Sequence, residues 1–381
     1  MRPAKYVIMK IAILGTRGIP ARYGGFETFA EHISTQLAER GHQVTVYCRR
    51  AFARPDDTVD SRVRRVTLPS ICSKYLDTLS HAFLSTLHVI FTDAEVVLFC
   101  NVANSPFAWI PRLFGKPVIL NVDGLDRKRR KWNFLGRLYL LLCEWIATVA
   151  PSKLVTDAKV IQEYFWRRYR KHSTMITYGA EVPPGTNDLD GFRLPSGKFL
   201  LYVSRLEPEN NPELVIRAFR KVTTDWPLVV VGGNPYNPAY VSHLKSIADS
   251  RVIFTGPIYG DAYWRIQRNA GAYICASEVG GTHPGLVEAM AAGNAILYCG
   301  TPENRETVGE CGIPFEPRAD DLTSKMHVAV RDAELRGQLR CRAKERAQVT
   351  CSWGSVARQY EDLMRRALRK PVPDAPFVPS K

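Results

Sequence analysis

Three short stretches carry residues whose types and spacing could hold an anion. In "GTRGIPARYGG" (residues 15–25) four glycines stand between an apolar run and a long amphipathic one. Their spacing, Gly15, Gly18, then Gly24 and Gly25, does not fit the GxGxxG fingerprint of dinucleotide sites, which needs one tight strand-to-helix turn and an acid about 20 residues on. A glycine pair opening a helix exposes N–H groups, a ready anion site; the same residues serve equally as a plain turn and cap. In "CASEVGGTHPGLVEAMAAG" (275–293) another glycine-rich loop opens another helix, with Gly281, Thr282 and His283 before it and Glu288 near its start. Small residues there suit a diphosphate. A carboxylate one turn in can accept two hydrogen bonds from a ribose diol, or simply be an acid favoured by the helix dipole. In "YVSRLEPENN" (202–211) Arg205 follows a strand, where its guanidinium can take a phosphate bidentately or pair with Glu207 or Glu209. Two phosphate-compatible loops on two domains point to a nucleoside diphosphate in an interdomain cleft.

The elements that would position these loops alternate along the chain. "VIMKIAILG" reads as a buried parallel strand, and "GGFETFAEHISTQLAERG" as a helix with Phe26, Phe29, Ile33 and Leu37 at helical spacing and Gly41 as its stop. Strands "QVTVYC", "AEVVLFCN", "KPVILNVDG" and "KLVTDA" follow. After "GAEVPPGTNDLDGFRLPSGK" a second series begins, with strands "FLLYVS", "PLVVVGG", "RVIFTG", "AYICAS" and "AILYCG" between helices. The alternation predicts an α/β fold of two doubly wound parallel sheets. The domains are expected at 1–180 and 198–354, with a linker over 181–197 and a disordered tail over 371–381. A final helix over 355–370 is expected to pack back on the first domain.

The length, 381 residues, exceeds what a single core usually supports, so two domains are expected on size alone. Nine scattered cysteines without a CxxC pair suit a reducing cytoplasm and make neither a disulfide framework nor a zinc site. No run of about 18 apolar residues exists, so no membrane span is expected, and the first residues read as a strand rather than a signal peptide. The net charge of +15 favours anionic partners. In "DRKRRKWNFLGRLYLLL" (126–142) five basic residues sit beside Trp132 and Phe134 ahead of an apolar helix, and "FWRRYRKH" repeats this on a smaller scale. That pattern suits an anionic membrane interface better than a nucleic-acid groove, and no nucleic-acid-binding signature accompanies it. The same segments also read as core and rim of a helix packed inside.

At these residues the chain resembles the GT-B-fold glycosyltransferases of the retaining family-four type, over almost its whole length. "GGFETFAEHISTQLAERGHQVTVYC", "YVSRLEPENN" and "GGTHPGLVEAMAAGNAIL" are similar to that group's opening, its R-L-x-x-E-K-G segment and its E-x7-E segment. "ILGTRGIPARYGGFET", "NVDGLDRKRRKW", "SRLEPENN" and "PENRE" resemble a bacterial rhamnosyltransferase-like subset with a DUF1972-type N-terminal domain.

The resemblance implies two Rossmann-like domains facing across a cleft. Gly24 and Gly25 would face the donor diphosphate, and Arg205 would neutralise it, helped by the amides of Gly281, Thr282 and His283. Glu288 would hold the ribose, and Ile258 in "TGPIYG" lies in the segment that meets the base. Asn210 and Asn211 belong to the same donor set. Asp123 falls where many relatives place a histidine near the reacting sugar.

Two departures stand out: the family's first motif glutamate falls on Gly280, and its phosphate lysine on Asn210, for which Arg17 or Arg22 would substitute. A deoxysugar donor with fewer hydroxyls would explain the lost carboxylate. "PDD" at 55–57 is expected to lie far from every motif, so no metal and no other cofactor is expected.

The implied activity is transfer of a sugar, L-rhamnose from dTDP-rhamnose, to a lipid-linked or polysaccharide acceptor, with retention, at the cytoplasmic face of a membrane. Asp123 is then a positioning residue, or the general base if the enzyme inverts. A sugar-nucleotide epimerase of the same fold and a non-catalytic binder of anionic surfaces are the alternatives.

Overall fold

The computed structural model of the protein describes residues 8–368 except 23, 55–56, 74–75, 130–131, 190 and 236; the segment 371–381 lies outside them. The chain divides into two compact units, one of Met1–Lys128, Trp132–Tyr178 and Trp353–Lys381, the other of Arg129–Lys131 and Gly179–Ser352.

The first unit is built on β1 (Lys10–Leu14), β2 (Gln43–Arg49), β3 (Val63–Leu68), β4 (Val96–Cys100), β5 (Val118–Asn121), β6 (Lys153–Thr156) and β7 (Thr174–Met175). They form one parallel sheet in the order β3-β2-β1-β4-β5-β6-β7, with Ile11 opposite Val44 on one side and Val96 on the other. The second unit holds β8 (Leu200–Val203), β9 (Leu228–Val231), β10 (Val252–Gly256), β11 (Ala272–Cys275), β12 (Ala295–Cys299) and β13 (Gly312–Phe315), in the order β10-β9-β8-β11-β12-β13, also parallel. Central strands such as "VVLFC" and "AILYC" are buried throughout, because helices cover both faces of each sheet. The α/β fold of two Rossmann-like parallel sheets follows.

In each sheet the strand order reverses beside its first strand, between β1 and β4 and between β8 and β11. Ligands in such folds bind outside the carboxyl ends of the strands at these reversals. The loops after β1, β8 and β11 are the three stretches the sequence singled out. Two glycines let backbone pass there: Gly15 (φ +94°) would place a Cβ 2.3 Å from the Cys100 carbonyl oxygen, and Gly232 (φ +139°) one 1.8 Å from that of Ser204.

The helix after the first loop spans Gly25–Glu39, burying Phe29, Ile33 and Leu37 while Phe26 stays half-buried. The last helix, Trp353–Leu368, belongs to the first unit, where Phe29 meets the rings of Tyr360 and Trp353 at 5.2 and 6.3 Å. The described residues of 181–197 form no helix or strand, and the stretch is pinned to the second unit. Arg268 donates to the carbonyls of Thr186 (3.0 Å) and Pro183, and Asn269 to that of Asn187 (2.8 Å).

Candidate functional site

In the second unit, two loops at the strand reversal are stitched together by asparagines. Asn210 is buried: its amide donates to the Arg205 carbonyl (2.7 Å) and its oxygen accepts from the Ser277 hydroxyl (3.1 Å). Asn211 takes a left-handed conformation (φ +57°) at the start of the helix Pro212–Phe219 and donates to the Ala276 carbonyl (2.9 Å) and to Glu278 Oε1 (2.6 Å). Both side chains therefore fix the loops' relative position from within. The formal charge of the family's lysine is not replaced at Asn210.

Around this frame the charge is mixed but ordered. Arg205 lies 3.6 Å from Glu207, and Arg129 lies 3.9 Å from the buried Glu209, whose carboxyl is pushed up by burial and by Glu207. His283 caps the helix Pro284–Ala291, and its pKa is lowered to about 4 by burial first and then by the nearby charges of Arg129 and Arg205. Burial dominates that shift, with the two cations adding to it at a helix N-terminus, where the dipole also favours negative charge. Gly281 and Thr282 are buried just before it. Arg129's part leaves no local signal, since it stands 80 residues before Glu209 and 154 before His283 along the chain.

Glu288 sits one turn into that helix. Tyr263 donates to its Oε2 at 2.5 Å, and Gln267 in turn donates to the Tyr263 hydroxyl at 2.8 Å. Burial raises the Glu288 carboxyl, against the stabilising Tyr263 bond. One oxygen is thus anchored, which orients the other. Ile258 lies half-buried in the loop after β10.

Gly280 lies against His283, where a Cβ would fall 2.4 Å from the imidazole Cε1. No side chain fits at 280 while the ring holds this place.

In the first unit, acids of the following helix take the opening loop's amides. Arg17 N–H donates to Glu27 Oε1 and Ala21 N–H to Glu31 Oε2, both at 2.9 Å, and Gly24 is the helix cap, with Gly25 the first helical residue. Sequence reading missed Glu27, although an acid three places after a cap is the spacing that signals a helix start. Arg22 pairs with Asp57 at 2.5 Å, and Arg65 reaches the same carboxylate at 3.4 Å. Asp57 was expected far from every motif; it is instead joined to the opening loop, because a buried carboxylate needs cations and the loop supplies one. Arg17 lies over the Phe52 ring at 4.6 Å.

Asp123 follows β5 with φ +58°, its N–H bonded to Asn121 Oδ1 at 2.9 Å, and Asn121 also donates to the Tyr360 hydroxyl at 2.9 Å. The left-handed turn, which an aspartate tolerates, holds a half-buried carboxylate whose charge helps raise the pKa of buried Tyr178 and Tyr360.

His283 also predicts a pH dependence. Its folded pKa, about 4, lies below its ordinary 6.5, so its neutral form is favoured by folding. That contribution is complete above pH 6.5 and is lost as pH falls toward 4. His81 in the first unit shifts the same way, so only a difference is diagnostic. The melting temperature of His283→Gln should fall less steeply than wild type over this range; parallel profiles would contradict the assignment.

Two parallel sheets of one strand order define an α/β protein of two Rossmann-like domains. Residues 192–346 match the model of glycosyl transferases group 1, and residues 23–177 that of glycosyltransferase family 4. The chain belongs to the GT-B glycosyltransferases of this group 1 and family 4 type.

A putative glycosyltransferase of Bacillus subtilis, YtcC, is 23% identical over 45% of this chain and 46% of its own length. The chain spans less than half the length of the curated relatives it matches. The fold is similar to sucrose-phosphate synthase of Thermosynechococcus elongatus (TM-score 0.79, 18% identity, 94% of this chain and 98% of that one). It is also similar to Anabaena Alr3699/HepE in complex with UDP and glucose (TM-score 0.74, 15% identity, 94% and 99%).

Proposed function

We propose that the protein transfers a sugar, L-rhamnose from dTDP-rhamnose, to a lipid-linked or polysaccharide acceptor in cell-surface glycan synthesis, at the inner face of the cytoplasmic membrane. The observation that carries the donor site is the convergence of Arg205 and Arg129 on the His283 end of the helix Pro284–Ala291, with Glu288 anchored one turn in. Transfer builds negative charge on the departing diphosphate; fixed cations and helix amides stabilise that charge without reorganising. Arg205 meets the diphosphate with the amides of Gly281, Thr282 and His283, Glu288 takes the ribose diol, and the loop at Ile258 meets the base. Tight packing of Gly280 on His283 supports a donor sugar with few hydroxyls to grip, since a carboxylate at 280 would collide with the ring as it stands.

Reaction with retention has the acceptor hydroxyl attack on the leaving-group face while the phosphate takes its proton, leaving Asp123 to position. Charge neutralisation by arginine is the ground on which metal independence is proposed.

The test supplies dTDP-rhamnose with and without a polyprenyl-diphosphate-linked saccharide. Release of dTDP only with acceptor, unchanged by EDTA and giving a product of retained anomeric configuration, is the expected result. Conversion of the donor to an epimer without acceptor would favour the isomerase instead, and loss of turnover in EDTA would contradict metal independence.

A further inference from the structure

One helix of the first unit reverses the usual amphipathic order. Phe134–Val149 turns Leu140, Cys143, Ala147 and Thr148 inward, with Glu144 held 2.9 Å from Arg127. Its large apolar side chains face out: Phe134, Leu135, Leu138, Leu142, Trp145 and Val149 are each more than half exposed, Phe134 at 78%. Steps of three and four residues put them on one stripe, which over 16 residues runs about 24 Å. The stripe does not end with the helix. Arg112 Nη1 donates to the carbonyls of Val149 (3.1 Å) and Ala150 (2.5 Å), which sets the short helix Trp109–Leu113 against its C-terminal end. There Leu113 and Phe114 are exposed as well, at 73% and 58%.

A face of this size on a water-soluble surface marks an interaction site. Its rim gives the partner's sign. Lys128 and Arg137 are exposed beside the stripe, Arg112 is exposed at its far end, and the chain carries +15 overall. A second copy would bring like charges rim to rim, whereas an anionic bilayer offers both an apolar layer and negative headgroups. No described helix is long and apolar enough to cross a membrane, so the contact is with one leaflet. We infer that the stripe from Phe134 to Val149, continued by Leu113 and Phe114, inserts shallowly into an anionic lipid surface. The inference deepens the proposed function, on which it rests for the lipid-linked acceptor: the docked face places the enzyme where such an acceptor resides.

The experiment is co-sedimentation of the full chain with vesicles of phosphatidylcholine containing about one-third phosphatidylglycerol, and with phosphatidylcholine alone. Wild type should bind the anionic vesicles, less so as salt rises. The triple variant Phe134→Ser/Leu138→Ser/Trp145→Ser should bind at least about tenfold more weakly, with unchanged circular dichroism. Lys128→Glu/Arg137→Glu, which leaves the stripe intact, should lose the preference for anionic lipid. Three results would overturn the inference: no vesicle binding by wild type, undiminished binding by the triple variant, or a wild-type dimer in ultracentrifugation that the triple variant dissolves. Nucleotide-induced thermal shifts are read on the same samples. Vesicle binding without any nucleotide response would sink the transferase reading and leave the docking face standing; the reverse pattern would do the opposite.

Discussion

Replacing Arg205 with alanine should slow sugar transfer by about 10²–10³-fold, the effect typical of removing one preorganised charge stabiliser from a developing anion. Two features raise the expectation. Asn210 is neutral and so offers no cation in the place of the family's lysine, and its amide and oxygen are committed to the Arg205 carbonyl and to Ser277. Arg22 is tied to Asp57 at 2.5 Å, which leaves it poorly placed as a substitute. Arg205→Lys should recover part of the loss, since the charge returns without the planar fork. The loss should fall in kcat as well as in kcat/KM, because charge on the leaving diphosphate is greatest in the transition state. An alanine variant with wild-type kcat would remove Arg205 from the catalytic account.

The second large effect is structural. Gly232→Ala should destabilise the second unit by at least about 3 kcal/mol, a drop of roughly 6–12 °C in melting temperature for a domain of this size. Its backbone has φ +139°, and the new Cβ would stand 1.8 Å from the Ser204 carbonyl oxygen, a backbone atom that cannot move without shifting the loop that carries Arg205. Gly197→Ala is the control: φ is also positive (+73°), but nothing lies within 4 Å of the added carbon. It should cost only the left-handed conformation, about 1–2 kcal/mol. Equal costs for the two substitutions would show that the close approach is not what holds Gly232.

The central strands were legible because they are apolar on both faces; of the edge strands only β10, read in "RVIFTG", was, for the same physical reason. β3 carries Arg64 and Arg65, β13 carries Gly312 and Pro314, and β7 has two residues; each pairs on one side only and needs no continuous apolar run. At the candidate site, the glycine-rich loops and Glu288 could be read from local spacing because strand, loop and helix are contiguous there. What could not be read was the use of side chains across sequence distance. Asn210 and Asn211 join the loops after β8 and β11, Arg129 comes to Glu209 and His283, and Asp57 comes to Arg22. Such pairings leave no periodicity in the chain. The inverted helix Phe134–Val149 was read only in part, since composition shows an apolar helix but not which face the sheet takes.

On the proposed reading, the second unit holds a nucleoside diphosphate through Arg205 and Glu288. The most direct test is the melting temperature of wild type, Arg205→Ala and Glu288→Ala with UDP, dTDP, GDP and ADP. Binding to the native state raises the melting temperature in proportion to the logarithm of ligand over Kd. Stabilisation of wild type by one diphosphate, dTDP on the proposed reading, and its loss in both variants is the expected result. No shift with any nucleotide, or an equal shift in all three proteins, would contradict the claim.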